Sequence, residues 1–451
     1  VVLLPADVSA ARDRVTGANG RPVPSQRLKD GRLAMLVDRV PALGAIRLLL
    51  AGGAASTSRR TVKVEGDLTI ANDLVRLGVD AGTGDIRTLQ FSRSGGASPE
   101  FVSPSHGLNS YLYVPGRDPA KAQPAGPARA SVEDAGPLVA TVRIESDAPG
   151  ARSLVRRVTL IAGQVVVNIE DALDKTAVRS KESAHVAFPF NLPGATVRVD
   201  EGAAVVVVER DQIDGSCRDF IGAHSVVDVS TGTAGISLAT LDAPLVEIGA
   251  LTDERIDPKV RQRTWRTRTA EGPAVYAYLL NNYWHTNYKA DQEGPLVFRF
   301  ALKPHGGSAN AGARAGASAV SGSGSSTDEV AIRQFGAEQE QPLLAYVVLP
   351  QAPMPRATFR VQGPGVVVSS IRSGGQQGGV IARLYNASAR PATARIIASR
   401  PTVPIRVDRI EEDRTAGRLA DATIRMRPFA TAIVRVVTND RSRAEARKSH
   451  N

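Results

Sequence analysis

The sequence predicts an all-β protein made of sandwiches. Short runs alternate apolar and polar residues with period two, turn residues separate them at regular intervals, and long helical periodicity is nearly absent. In chain order, Leu33–Val37 and Ala45–Leu50 are the first clear strands. With so few strands, residues 1–58 read as the end of a small β-domain whose start is missing. Residues 59–305 form a large body. Within it Val75, Leu77 and Val79 share one face, Gly82-Thr-Gly84-Asp85 supplies a hairpin turn, and Ile86–Phe91 returns. Val139–Glu145 repeats the alternation. Val155–Ile161 and Val165–Asp171 flank a second hairpin at Ala162-Gly163-Gln164. Val205–Val208 is continuously apolar, the pattern of a strand covered on both faces. Residues 306–330 collapse to Gly, Ala and Ser and read as a linker. Strands resume at Leu343–Val348, and residues 331–437 have the size of an immunoglobulin-like sandwich. Residues 438–451 are a charged tail.

Composition narrows the function. A single cysteine, Cys217, excludes an internal disulfide and fits a reducing, cytoplasmic compartment. Its expected state is that of a small buried residue. The net charge of +11 comes from arginines interspersed with Asp and Glu, not from a basic stripe, so nucleic acid is not an expected partner. The cluster Arg261-Gln-Arg263-Thr-Trp265-Arg266-Thr-Arg268 reads as a solvated strand or loop facing an acidic surface. No apolar run reaches the ~20 residues of a membrane helix, and Val1–Leu4 is too short for a signal-peptide core. There is no GxxxxGK[ST] and no GxGxxG opening a helix. The Gly374-Gly375 and Gly378-Gly379 pairs read as a hairpin tip, and Asn386-Ala387-Ser388 as a chance glycan-acceptor match.

The segment Tyr278–Phe300 carries the most chemistry. Tyr278, Tyr283, Trp284, His285 and Tyr288 fall within eleven positions, together with Asn281, Asn282 and Asn287, although the aromatic fraction of the chain is only 4%. Rings, amides and an imidazole between two strands suit a polar ring-shaped ligand such as a sugar. They also suit a packed interface, and packing is the stronger reading. The densest mixture of charges outside the tail is Glu209-Arg210-Asp211-Gln212 through Cys217-Arg218-Asp219. Glycoside hydrolysis commonly uses two facing carboxyl groups. Glu209, Asp211, Asp214, Asp219, Asp242, Asp291 and Glu293 are the available ones, and spacing alone does not show which converge.

The segment NNYWHTNYKADQEG, Asn281–Gly294, resembles the signature near the end of the large β-domain of glycoside hydrolase family 38, the α-mannosidases. Other segments agree in order: Val23-Pro24-Ser25-Gln26, Val40–Gly44, Ala71–Arg76 with Asp80–Ile86, Phe188-Pro189-Phe190, Glu209–Gln212 with Cys217-Arg218-Asp219, Thr240–Pro244 and Arg383-Leu384-Tyr385-Asn386. The resemblance covers nearly the whole chain. It implies a large super-sandwich of the galactose-mutarotase type with smaller β-sandwich domains around it. The family's catalytic zinc and carboxylate nucleophile belong to an α/β domain upstream of every matched segment.

None of the six histidines is followed two residues later by Asp, so the family's zinc pair is missing here. The resemblance therefore implies a non-catalytic C-terminal region that supports retaining cleavage of α-mannosides by a catalytic domain present in cis or in trans. No catalytic or metal-binding residue and no cofactor is expected in this chain. The residues expected to wall the substrate cleft, or to hold the domains together, are Arg210, Asp211, Arg218, Asp219, Tyr283, Trp284, His285, Asn287 and Asp291. A stand-alone carbohydrate-binding protein and a structural partner of a separate catalytic chain are the alternatives.

Overall fold

The computed structural model describes residues 1–41, 44–92, 99–202, 204–252, 265–283, 289–306, 326–349, 359–399, 404–411, 414–419 and 422–438. The expected tail and most of the expected linker lie outside them. The chain divides into two compact units. One comprises Val1–Val37, Leu49–Gly312 and Phe335–Val347; the other comprises Asp38–Leu48, Ala313–Gln334 and Val348–Asn451.

The first unit is all-β and built around two large antiparallel sheets. The nine-stranded sheet runs Ala128–Ala135, Val139–Ser146, Ala151–Ile161, Val167–Lys175, Gly294–His305, Gly235–Thr240, Val226–Ser230, Thr196–Asp200 and Val205–Val207. The six-stranded sheet runs Gln123–Pro124, Ser110–Pro115, Glu182–Pro189, Ala274–Asn281, Leu245–Ile248 and Ile221–Gly222. One core joins their facing sides. Val142, Val158 and Ile169 come from the larger sheet, Val186, Phe188, Val246 and Ala277 from the smaller. A four-stranded sheet, Lys63–Val64 to Ile86–Phe91, adds Ile70 and Leu77 to the same core. This two-layer arrangement is what alternating strands produce when each buries one face.

The expected hairpins form. Val75, Leu77 and Val79 are buried, and the turn after them is closed by the Asp80 carboxylate, which accepts from the Gly82 and Thr83 amides. Gly84 sits at φ +72, where a side chain would strike Ile144 and Arg156. Val158 and Ile169 are register partners across the second hairpin. Val205–Val207 differs from expectation. It is the last strand of its sheet, bonded only through Val199 and its neighbours, and Val206 and Val207 are half-buried. An apolar run alone does not distinguish a central strand from a twisted edge.

In the second unit a three-stranded sheet (Phe359–Gln362, Ala392–Ala398, Thr423–Met426) faces a five-stranded one (Val366–Ser373, Val380–Asn386, Thr431–Thr438, Ile405–Glu411, Arg414–Arg418). Phe359, Leu384, Ile396, Val407, Met426 and Val434 form its core. The paired glycines do make a hairpin tip, with the Gly374 amide donating to the Gly379 carbonyl. Asn386 is fully buried and donates to the Arg390 and Arg427 carbonyls, so its side chain is occupied by the fold.

Two further expectations fail. Leu343–Val348 is not a strand: Leu344, Tyr346 and Val347 are exposed, and no partner strand flanks them among the described residues. β-propensity without a partner does not make a strand. Instead, a helix spans Ser326–Glu340. Cys217 is exposed rather than buried, because its neighbour Arg218 takes the inward position. Among the described residues no helix is long and apolar enough to cross a membrane.

Candidate functional site

The strand Glu182–Pro189 is buried on both faces. Alternation sends Ala184, Val186 and Phe188 into the cores between the sheets, so Ser183 and His185 point from the opposite face. Leu245–Ile248 does the same: Val246 and Ile248 enter the core, and Glu247 joins His185 on the outer side. Polar groups on an outer face would ordinarily meet solvent. Here loops cover them, and Ser183, His185 and Glu247 are each 2% exposed or less.

A continuous chain of polar contacts crosses this face. Tyr283 Oη donates to Ser183 Oγ at 2.8 Å, and Ser183 Oγ lies 2.8 Å from His185 Nε2. His185 Nδ1 lies 3.0 Å from Glu247 Oε2. The Thr252 amide donates to Glu247 Oε1 at 2.6 Å, and Thr252 Oγ1 donates to the Asp219 carbonyl at 3.0 Å. The Arg266 amide donates to Asp219 Oδ1 at 2.9 Å, and the Arg218 amide donates to the Arg266 carbonyl at 2.7 Å. Ser183 accepts from Tyr283 and has its own hydrogen left for Nε2, while His185 Nδ1 and Glu247 Oε2 stand close without the geometry of a hydrogen bond. Tyr278 stands edge-on to His185 at 4.5 Å and to Phe220 at 5.3 Å. Burial, and then the Glu247 charge, raises the Tyr276 hydroxyl pKa.

The order Ser183, His185, Glu247 is that of a hydrolase triad. Ser183 is capped by Tyr283 and closed to solvent, so no scissile carbonyl reaches its oxygen. The array instead ties two loops to the sheet. On the inner side of the same strand, Lys175 Nζ lies 2.8 Å from Glu182 Oε1, both fully buried. A further buried array, Asp228 with His305, Ser230 and Ser237, lies on the nine-stranded sheet. Burial alone would raise the Asp228 carboxyl, but the hydrogen bonds from His305, Ser230 and Ser237 hold it below the usual range.

The expected site residues fall in different places. Arg210 and Asp211 pair with each other in an exposed turn, which holds the Asp211 carboxyl below the usual range. Arg218 and Asp219 are buried; Arg218 donates to Ser216 and to the Ile213 carbonyl, and so shapes its own loop. Tyr283 is buried, with the Arg117 guanidinium 5.1 Å over its ring and donating to its carbonyl. Asp291 pairs with Arg179 at 2.9 Å. Trp284, His285 and Asn287 lie outside the described residues.

The chain of contacts thus joins Tyr283 to Asp219 through His185 and Glu247, two residues that the sequence reading passed over. The signal was an ionisable residue inside a short apolar run: His185 in Ala-His-Val-Ala-Phe and Glu247 in Leu-Val-Glu-Ile. Among the other carboxylates, Asp242 is bound bidentately by Arg299, and Glu293 pairs with Lys289.

Beside Arg218 a cavity of about 760 Å³ is lined by the paired segments 195–197 and 207–208 and by the segment 267–272. Glu209, Asp214, Arg218, Arg268 and Glu271 supply its charges. Glu209 holds a left-handed backbone at φ +70 and accepts from the Thr269 amide at 2.6 Å. Among the described residues no group of three His, Cys, Asp or Glu side chains could hold a metal ion.

No family model and no curated protein sequence matches the chain. Solved structures do. A protein in glycosyl hydrolase family 38 from Enterococcus faecalis aligns over 95% of this chain with TM-score 0.63 and 13% identity. An α-mannosidase from Enterococcus faecalis V583 aligns over 96% with TM-score 0.65 and 13% identity. This chain spans 53% of the length of each, about half. A galactose mutarotase related enzyme from Lactobacillus acidophilus aligns over 53% of this chain and 97% of its own, with TM-score 0.30 and 13% identity. Across both units, therefore, this chain has the all-β fold that these two family 38 structures carry over half of their length.

Proposed function

We propose that the chain is the non-catalytic β-region of an α-mannosidase-like glycoside hydrolase. It would support mannoside binding and hydrolysis by a zinc-dependent α/β domain supplied in cis or in trans. The observation that carries this reading is the fold match, which accounts for nearly all of this chain and leaves about half of each matched structure over. The described donor sets do not suit zinc: His185 and Glu247 form a buried pair with no third ligand, so no step is derived through a metal in this chain.

The role proposed for Arg218, Asp219 and Tyr283 is to fix the loops that border the neighbouring domain, with Arg210 and Asp211 on a loop surface and the largely covered Asp291 held by Arg179. Their organisation by one buried array supports that role, since a wall must be rigid to orient a substrate.

The test is hydrolysis of a chromogenic α-mannoside with and without zinc, by the purified chain and by the chain co-expressed with the α/β zinc domain from the same genome. No turnover by the chain alone, and zinc-dependent turnover that requires both parts, is the expected result. Zinc-dependent turnover by the repurified chain alone would overturn the reading, as would full activity of the α/β domain without it. A stand-alone carbohydrate-binding protein is the second reading, favoured by the polar cavity beside Arg218.

A further inference from the structure

We infer that the cavity beside Arg218 is a binding subsite for a neutral, polyhydroxylated ligand, a glycan segment. This deepens the carbohydrate reading above and rests on it.

Within the cavity lining, Asp214, Arg268 and Glu271 are exposed and make no hydrogen bond or ion pair among the described residues. Their charges are therefore available to a ligand. Arg218 and Glu209 are already used: the first donates to its own loop, the second accepts from the Thr269 amide. The unused groups have mixed sign. Two carboxylates disfavour an anion such as a phosphate, and the guanidinium disfavours a cation. Hydroxyl groups satisfy both kinds at once, because they donate to Asp214 and Glu271 and accept from Arg268. Thr196 and Thr267, also in the lining, add side chains that donate and accept alike.

Trp265 supplies the second observation. Its indole is 55% exposed, yet it is fixed, since Nε1 donates at 3.1 Å to the carbonyl of Gly215, a residue of the cavity wall. An exposed tryptophan whose N–H is already bonded has only its ring faces left to offer. An aromatic face held against the cavity wall at Gly215 is suited to the C–H face of a pyranose that extends from the cavity. The site is also braced. Glu209 is held at positive φ, a conformation that costs free energy and persists only where surrounding contacts impose it. The volume of about 760 Å³ lies in the range of small-molecule sites and accommodates more than one sugar ring.

The experiment is calorimetric titration of the purified chain with methyl α-mannoside and an α-linked mannotriose, with gluco- and galacto-configured trisaccharides, inorganic phosphate and spermidine as comparisons. Saturable binding of a trisaccharide and none of phosphate or spermidine is expected. W265A and the double substitution D214A/E271A should each weaken it at least tenfold, with the melting temperature unchanged because these side chains are exposed. Absence of saturable glycan binding, affinity unaltered by both variants, or preference for phosphate or spermidine would each overturn the inference. The two readings fail separately. A chain that binds no glycan but is still required by the α/β domain sinks only this one, and a chain that binds glycan but is dispensable for hydrolysis sinks only the other.

Discussion

Asp171 lies inside the first unit, opposite Arg156 in register and accepting from Asn109 Nδ2 at 3.0 Å. Burial pushes its pKa from 3.8 up to about 7, against the pull of Asn109 and Arg156. The folded chain therefore keeps this proton in a range where the unfolded chain has lost it. Below pH 3.8 both states hold the proton and the contribution to stability is fully present; it is lost as pH rises through about 7. The slope between these limits approaches roughly 1.4 kcal/mol per pH unit. Denaturant midpoints for D171N should vary less between pH 4 and 7 than wild type and exceed it above pH 7. Parallel curves would show that Asp171 does not carry this dependence.

Lys175 and Glu182 make the opposite case, a charge pair with no access to solvent. Removing one partner leaves the other uncompensated, so K175M should cost about 3–5 kcal/mol in chemical denaturation, while K175M/E182L should recover most of it. A double variant as unstable as the single would mean that packing, not charge, sets the cost. The partners of both were invisible in sequence. Asp171 and Lys175 sit in the alternating run Val-Asn-Ile-Glu-Asp-Ala-Leu-Asp-Lys on the parity that Val167, Ile169 and Leu173 mark as inward, but nothing local shows that Asn109 and Glu182 meet them there.

At the scale of elements, strands with one apolar face were legible because burying that face fixes their period. The hairpins at Gly82–Asp85 and Ala162–Gln164 follow from turn residues between two such strands. The site loops were legible only as unusual composition. Asp219 shows why: its partners, the Arg266 amide and the Thr252 hydroxyl that meets its carbonyl, lie 47 and 33 residues away. The sequence placed Asp219 among the residues expected to wall a cleft or hold domains together, and the fold makes it the anchor between two loops. D219A should release that anchor. Hydrogen exchange at the amides of Arg266 and Arg218 should accelerate, about tenfold for each 1.4 kcal/mol of local stability lost. Strand amides such as those of Val186 and Ala277, deep in the core, should not change. Unchanged exchange in both loops would show that Asp219 is not what holds them.

For the whole molecule, the sheet order was the part that sequence withheld. Gly294–His305 pairs with Val167–Lys175 on one side and Gly235–Thr240 on the other. Local alternation is the same whichever neighbour a strand finds, so strands far apart in sequence meet without a local signal. Charge behaves differently, because the balance along the chain already indicated how it would be distributed. Some arginines are tied up in pairs across both units, Arg156 with Asp85, Arg157 with Glu133, Arg299 with Asp242 and Arg406 with Asp408, and the excess that makes the net +11 is spread along the sequence rather than gathered in a run. Neutralising phosphates requires cations free to approach a backbone, and binding driven by them falls steeply with salt. A chain whose excess cations are dispersed among carboxylates, with no basic stripe, should show weak retention on duplex DNA at low salt and none at ~0.15 M. Fluorescence anisotropy with a labelled duplex checks this. Saturable binding that persists at that ionic strength would mean that the paired arginines exchange their carboxylates for phosphates, and that the basic pI of about 10.0 reports a nucleic-acid surface after all.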